Sequence, residues 1–332
     1  MKNSILTFTT FTMIALALVV SIGAMSAAEP PPWAYGFEGP PQPGATAAPP
    51  GPAPTDTTPR SLPGVSVQFT RAQIANRFGP ADWFPGDHPQ MPDVVAHGKQ
   101  SNVWACSLCH YPNGKGRAEN AGISGLSTEY FIHTMNDFKN GNRKSADPRK
   151  ANSNLMAGFA KNMTDDEIKA AAEYFGAIKW TPWIKVVEAK MVPKAKPNGG
   201  LFVVEGDGKE MEPLGNRILE VPVNGEATEI LRDPHSPFTA YVPVGSLKKG
   251  EALATKSGKT TACGICHGPD LKGLGPAPSL AGRSPSYLVR QMFDMQQGFR
   301  KGSWTELMKP VVANLTSDDM LDLAAYAASK TP

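Results

Sequence analysis

Residues 105–117 read ACSLCHYPNGKGR, and residues 262–273 read ACGICHGPDLKG. Each stretch contains two cysteines separated by two residues, with a histidine directly after the second cysteine. The chain of 332 residues has only four cysteines, and all four lie in these two stretches. Chemistry that depends on thiols is therefore expected at these two places.

Three interpretations of the Cys-x-x-Cys-His motif compete. A redox dithiol needs only the two cysteines and leaves the histidine unexplained in both copies. A zinc site needs a second cysteine pair roughly 15–20 residues further on, whereas the second pair here follows only at 263 and 266. Covalent haem attachment uses all three residues, because the thiols add to the vinyl groups and the histidine lies beneath the iron. The motif therefore favours haem.

Two covalently bound haems, each with its iron, are predicted. The predicted attachment residues and proximal ligands are Cys106, Cys109 and His110 for the first haem, and Cys263, Cys266 and His267 for the second.

The two cysteine regions repeat each other. Residues 130–143, YFIHTMNDFKNGNR, align with residues 287–300, YLVRQMFDMQQGFR, without a gap. Residues 156–174, MAGFAKNMTDDEIKAAAEY, align with residues 308–326, MKPVVANLTSDDMLDLAAY, again without a gap. A repeat this close predicts two copies of one domain.

Each copy is predicted to be a small helical unit. Thr164 with Glu167 forms a capping-box pattern at the start of the last helix of the first copy, and Thr316 is the equivalent N-cap in the second. An earlier helix is predicted over residues 129–140 and, in the second copy, over residues 285–297. The fold class is therefore mainly α.

Met156 and Met308 are the predicted sixth ligands of the two irons. They occupy matching positions in the repeat. Each is predicted to stand in an irregular segment just before the last helix, where a side chain can reach over a haem. Methionine sulfur is a soft ligand that raises the reduction potential.

Other side chains in the two copies are less suitable as shared ligands. Met163 is aligned with Leu315 in the second copy. His133, the main alternative ligand in the first copy, is aligned with Arg290. The methionines interpreted as core residues at helical spacing are Met135, Met292, Met295 and Met320. His88, His97 and His235 have no counterparts and are interpreted as structural or solvated.

The N-terminal residues 1–28 carry the pattern of an export signal peptide. Lys2 precedes a compact apolar run, residues 14–24, which is too short to span a bilayer comfortably, and small residues follow it. An uncleaved membrane anchor is the alternative. The mature protein is expected in the periplasm, either soluble or peripheral to the membrane.

The rest of the chain divides by composition. Residues 29–63 contain twelve prolines and are predicted to be a disordered leader. The other predicted segments are an N-terminal extension at 64–92, the first haem domain at 93–182, a connecting segment at 183–243 and the second haem domain at 244–332. Short strands are expected within the connecting segment, at 217–221 and 239–244.

Both copies resemble class I cytochrome c domains, and the whole resembles a dihaem cytochrome of the c4 type. The resemblance implies that a proline after the motif packs on the haem while a neighbouring carbonyl bonds the proximal histidine. Pro278 supplies it in the second copy, whereas Ala121 stands at the equivalent position in the first. The resemblance also implies a crossing of first and last helices at a glycine and an aromatic residue. The expected pairs are Gly250 with Tyr326 and Gly98 with Tyr174.

Two six-coordinate haems predict a one-electron carrier and not an enzyme, either as a free carrier or as the cytochrome subunit of a dehydrogenase or respiratory chain. The expected partners are redox proteins: a dehydrogenase as donor, and another cytochrome or a terminal oxidase as acceptor. The net charge of +3 is small for this length, which argues against nucleic acid as a partner. The alternative is a dihaem enzyme, of the peroxidase or thiosulfate-oxidising type, with one open or unusual haem site.

Overall fold

The computed structural model describes residues 28–256 and 258–332. The predicted signal peptide lies outside the described residues, apart from its last position. The helices are α1 (Pro32–Tyr35), α2 (Arg71–Ile74), α3 (Asp93–Ala96), α4 (Cys106–His110), α5 (Thr128–Lys139), α6 (Ala151–Asn162), α7 (Asp165–Ala177), α8 (Gly225–Glu229), α9 (Ser246–Thr255), α10 (Gly264–His267), α11 (Pro285–Gln296), α12 (Ser303–Val312) and α13 (Ser317–Ser329). The strands are β1 (Pro59–Arg60), β2 (Phe69–Thr70), β3 (Ile184–Glu188), β4 (Met191–Pro193), β5 (Ala195–Asn198), β6 (Leu201–Val204), β7 (Met211–Pro213), β8 (Leu219–Pro222) and β9 (Phe238–Val242).

Helices α3 to α7 form the first helical unit. Helix α7 begins where predicted, because the Thr164 hydroxyl accepts a hydrogen bond from the Glu167 amide and the Glu167 carboxylate accepts one from the Thr164 amide. This capping box satisfies two amides that the first turn leaves without partners. The α7 face that carries Ile168 and Phe175 is buried, and α7 packs on α5 and α3. The unit therefore has its own apolar core.

Helices α9 to α13 form the second unit, and α9 crosses α13 at Gly250. A side chain there would collide with the Asp322 carbonyl and with Tyr326 Cβ, so only glycine allows the two backbones to approach so closely. The predicted Gly250–Tyr326 crossing is confirmed. The first copy differs, because the space beside Gly98 is filled by the backbone from Val103 to Ala105. The predicted Gly98–Tyr174 crossing is wrong.

The connecting segment contains a three-stranded sheet. Strand β9 lies in the middle, parallel to β3 and antiparallel to β8. Strands β8 and β9 overlap the predicted strands at 217–221 and 239–244. Strand β3 packs on α13 and strand β8 on α11, so the sheet is attached to the second helical unit.

The predicted disorder of the Pro-rich leader is wrong for its first part. Residues 32–35 form α1, and Ala34 and Tyr35 are fully buried. The Tyr35 hydroxyl donates to the Asp294 carboxylate at 2.7 Å, and the Ala34 carbonyl accepts from Arg290 at 2.6 Å. The leader is folded here because α11 offers it an apolar surface with buried polar partners.

The N-terminal extension is fastened to the connecting segment. Trp83 Nε1 donates to the Leu231 carbonyl at 2.7 Å, and the Arg71 guanidinium donates to the Ile230 carbonyl at 2.7 Å. His88 lies 3.1 Å from the Asp82 carboxylate, and the ring of His235 stacks on Phe84. Both histidines therefore have structural contacts.

Among residues 28–256 and 258–332, no helix combines the length and apolar character needed to cross a membrane.

Candidate cofactor sites

The first Cys-x-x-Cys-His motif lies on the short helix α4, beside an open cavity that we call the first cavity. Cys106, Cys109 and His110 all line it. His110 is 9% exposed, and its Nδ1 lies 2.8 Å from the Ala121 carbonyl oxygen. A carbonyl only accepts, so Nδ1 carries the proton and Nε2 keeps a free lone pair. Burial also lowers the pKa of His110, which favours the neutral imidazole that binds metals.

The second motif repeats this arrangement beside the second cavity, which Cys263, Cys266 and His267 line. His267 Nδ1 lies 2.7 Å from the Pro278 carbonyl oxygen, and burial again lowers the pKa of the imidazole. In both copies the carbonyl belongs to the residue eleven positions after the histidine. Ala121 therefore supplies the same backbone acceptor as Pro278, and the two copies differ there only in the side chain.

Met156 and Met308 line the first and second cavities respectively. The expectation that they stand in irregular segments is wrong, because Met156 lies within α6 and Met308 within α12. In the chain, α6 lies between α5 and α7, and α12 lies between α11 and α13. Each of these two helices places its methionine on the cavity wall. Both thioethers are therefore placed beside a cavity that also holds a histidine.

The competing side chains lie elsewhere or belong to the core. His133 lines the second cavity and not the first, with its ring 5.5 Å from the ring of Trp304, so it is no rival to Met156. Met163 lines the first cavity but is 5% exposed within the apolar core of its unit. Met320 is fully buried in the core of the second unit. The remaining methionines on the cavity walls are Met135 in the first and Met292 and Met295 in the second.

Both cavities have the size and chemistry for a haem. Their non-protein space is about 1300 Å³ and 1650 Å³, including volume open to solvent. Aromatic rings such as Phe131 and Phe175 line the first, and aliphatic side chains such as Leu288 and Leu323 line the second. None of the four cysteines forms a disulfide. Thiols, a neutral histidine and an apolar slot form the donor set that covalent haem requires.

The two cavities share a wall with approximate two-fold symmetry. Tyr130, Tyr287 and Gln291 line both cavities. Arg143 donates to the Tyr287 hydroxyl at 2.9 Å, and Arg300 donates to the Tyr130 hydroxyl at 3.0 Å. The arginine of each copy therefore contacts the tyrosine of the other copy.

The sequence comparison paired Tyr130 with Tyr287 and Arg143 with Arg300, but it did not show that the pairs touch. The repeat nevertheless gave a reason to expect these contacts. Two copies of one domain that meet face to face place the same patch of each against the other. Burial opposes ionisation of Tyr130, yet the positive charges of Arg300 and Arg143 lower its pKa to about 8. Tyr130, Arg143, Tyr287 and Arg300 form a polar seam between the two cofactor sites.

Asp294, on the wall of the first cavity, makes the stability of the protein sensitive to pH. Burial raises its pKa to about 6. Because the folded protein then holds this proton more tightly than the unfolded chain, the contribution of this carboxyl to stability is fully present below about pH 4 and is lost as pH rises through 6. The loss is of the order of 3 kcal/mol. Thermal melts from pH 4.5 to 7 should show this slope.

The matched variants are Asp294→Asn and Asp137→Asn, at equivalent positions of the repeat. Both hydrogen bonds to Asp294, from Tyr35 and from the Ala146 amide, end on Oδ1, which asparagine retains. Asp294→Asn should therefore flatten the slope and raise the melting temperature at pH 7, while the less buried Asp137 should matter less. An unchanged slope in Asp294→Asn would assign the pH dependence to another group.

Comparisons with known proteins agree with this geometry. The cytochrome c family model matches residues 95–179. The thiosulfate dehydrogenase electron acceptor of Stutzerimonas stutzeri is 36% identical over 236 residues, covering 70% of this chain and 82% of that protein. Cytochrome c-554(548) of Halomonas halodenitrificans is 39% identical over 82 residues, covering 24% of this chain and 98% of that protein.

Cytochrome c4 of Azotobacter vinelandii is 39% identical over 90 residues, covering 25% of this chain and 42% of that protein. The chain thus matches less than half the length of this cytochrome c4. The long match to the Stutzerimonas protein and the nearly complete match to the Halomonas cytochrome nevertheless show the family. The chain belongs to the dihaem class I c-type cytochromes, which carry two covalently bound haems c.

Proposed function

We propose that this chain is an exported electron carrier that accepts single electrons from a dehydrogenase and passes them to another cytochrome or a terminal oxidase. The observation that carries the proposal is the pairing, in each of two adjoining cavities, of a motif histidine with a methionine. An iron that holds a protein ligand on both faces has no position for a substrate. Its chemistry is then the one-electron Fe(II)/Fe(III) exchange that the bound haem supplies.

His110 and Met156 would hold the iron of the first haem, and His267 and Met308 the iron of the second. The carbonyls of Ala121 and Pro278 hold the two imidazoles in the tautomer that leaves Nε2 free. Such hydrogen bonds fix the ring orientation of a metal-binding histidine. The methionine sulfurs favour the reduced iron and so raise both potentials.

The donor is assigned by similarity. The Stutzerimonas relative, which matches 70% of this chain, is named as a thiosulfate dehydrogenase electron acceptor. We therefore infer that a dehydrogenase acting on a small sulfur compound is the donor, and that transfer takes place in the periplasm. Docking of this kind is weak and transient, with a small interface.

A redox titration of the haem-loaded protein tests the proposal. Two one-electron reductions are expected, together with two equivalents of the far-red methionine–iron charge-transfer band. Carbon monoxide should bind neither ferrous haem rapidly. Rapid binding to one haem would instead indicate the open site of a dihaem enzyme, and turnover of peroxide or thiosulfate by the isolated protein would replace the carrier function.

A further inference from the structure

The two Cys-x-x-Cys-His motifs are buried to different degrees. Leu108 and Ile265 occupy the same position between the cysteines, yet Leu108 is 7% exposed and Ile265 is 63% exposed. Cys266 is exposed, whereas its counterpart Cys109 is half-buried. The cysteines that would hold the haem are therefore more open to solvent in the second copy than in the first.

The loop that follows α8 packs against the residues that come directly after the first motif. Asn113 Nδ2 donates to the Pro234 carbonyl at 3.1 Å, and Arg117 pairs with Glu229 at 2.6 Å. The Arg232 guanidinium lies 5.7 Å from the centre of the Tyr111 ring. These contacts tie both ends of the loop to residues that follow the first motif.

The N-terminal extension holds that loop from the other side. Its Trp83 and Arg71 donate to the carbonyls of Leu231 and Ile230. The extension and the connecting segment, which the cytochrome resemblance left unexplained, thus act together as a lid on the first motif.

The surface around the second motif is open and partly apolar. Leu274 is 60% exposed and Leu307 is 67% exposed. The Cys263 amide donates to the Ala254 carbonyl at 2.9 Å, which brings the end of α9, with the exposed Lys256, next to the motif. Lys272, also exposed, lies in the loop whose Gly273 amide bonds the His267 carbonyl at 2.8 Å.

The surface of the second copy also carries more positive charge than the surface of the first. Residues 93–182 have five exposed lysines and five exposed carboxylates. Residues 244–332 have seven exposed lysines, Lys248, Lys249, Lys256, Lys259, Lys272, Lys301 and Lys309, and four exposed carboxylates, Glu251, Asp270, Glu306 and Asp318. The surface of the second copy therefore complements an acidic partner.

We propose that the second haem exchanges electrons with the protein partner, that the partner presents an acidic face, and that the first haem is an internal relay without direct access to that partner. This inference rests on the proposed carrier function. A haem held by Cys263, Cys266 and His267 would take one electron from the donor protein, and a haem held by Cys106, Cys109 and His110 would share that electron before it leaves to the acceptor. Tyr130, Tyr287 and Gln291 form the wall that the two cavities have in common.

Stopped-flow reduction by reduced flavodoxin, a small acidic one-electron donor, tests the surface. At low ionic strength, Lys256→Glu/Lys272→Glu should lower the second-order rate constant about ten-fold, because it reverses the charge that steers the donor. The matched control, Lys161→Glu/Lys169→Glu on the first copy, should change it less than about two-fold. Equal effects of the two double variants would overturn the assignment of the surface.

Ligand substitution tests the relay. Met308→His should lower the potential of the second haem, and the first haem, followed by its own methionine–iron band, should then be reduced at least about ten-fold more slowly by flavodoxin. The control Lys161→Glu/Lys169→Glu should leave the rate of reduction of the first haem unchanged, because it keeps both assigned methionines. Dithionite, a small reductant, should reduce the first haem in both variants. An unchanged rate at the first haem of Met308→His would show that the lid does not block the partner.

Lysine acetylation read by mass spectrometry gives a measure independent of electron flow. Oxidised flavodoxin should protect Lys256 and Lys272 and leave Lys161 and Lys169 reactive. Protection of Lys161 instead would place the donor on the first copy. Failure of the carrier function itself has a different signature, rapid binding of carbon monoxide by the wild-type protein.

Discussion

Met308→Ala is expected to remove half of the far-red methionine–iron absorption, because one of two haems loses its sulfur ligand. The ferrous iron of the second haem should then bind carbon monoxide. Its potential should fall by an amount on the order of 0.1 V, within the roughly 0.8 V range that axial ligands span. The first haem should keep its band and potential, since Met156 belongs to a separate cavity.

Met156→Ala should give the mirror result at the first haem. Suitable controls are Met292→Leu on the second cavity and Met163→Leu on the first, which remove a sulfur from the wall without touching the assigned ligands. Both controls should retain two equivalents of the band. A full band in Met308→Ala together with its loss in Met292→Leu would contradict the assignment of Met308.

The helical units were largely predictable because their signals are local. The capping box at Thr164 and the N-cap at Thr316 mark the starts of α7 and α13. The earlier helix of each repeat, predicted at 129–140 and 285–297, is found within one residue of those limits. Capping and periodicity depend on neighbours in the chain, so the sequence displays them directly.

The local structure around Met156 and Met308 was harder to predict. Met156 is followed by Gly158 and Met308 by Pro310, and glycine and proline normally weaken a helix interior. Both segments are nonetheless helical, α6 and α12. The surrounding apolar core compensates for poor local propensity, and that core is assembled from residues far apart in the chain.

The polar seam and the lid could not be predicted from local sequence patterns, because their contacts join residues far apart in the chain. Arg143 and Tyr287 are 144 positions apart, and Trp83 and Leu231 are 148 apart. The repeat showed that Arg143 and Tyr287 each have a counterpart, but only the packing of one copy against the other shows that they meet. No periodicity connects Trp83 with Leu231.

Tyr35→Ala is expected to lower the thermal unfolding temperature by about 10 °C, the second large effect. Tyr35 is fully buried, its hydroxyl donates to Asp294, and its carbonyl accepts from the buried Lys150 at 3.2 Å. Removing a buried aromatic ring costs roughly 3–5 kcal/mol. The change also leaves Asp294 with one donor fewer. Tyr35→Phe removes only the hydrogen bond and should cost roughly 1–3 kcal/mol.

Gly36→Ala should resemble Tyr35→Ala although it deletes nothing. Gly36 has a φ of +87°, and a Cβ there would collide with the backbone of Gly200. A side chain at this position therefore prevents the leader from seating Tyr35. Gln42→Ala, at an exposed position of the same leader, is the matched control and should melt like the wild type. If Tyr35→Ala and Gln42→Ala have the same melting temperature, the leader is not fastened to α11 through Tyr35.

Limited proteolysis gives the second measurement, because release of α1 should speed cleavage within residues 29–63 in Tyr35→Ala and Gly36→Ala but not in Gln42→Ala.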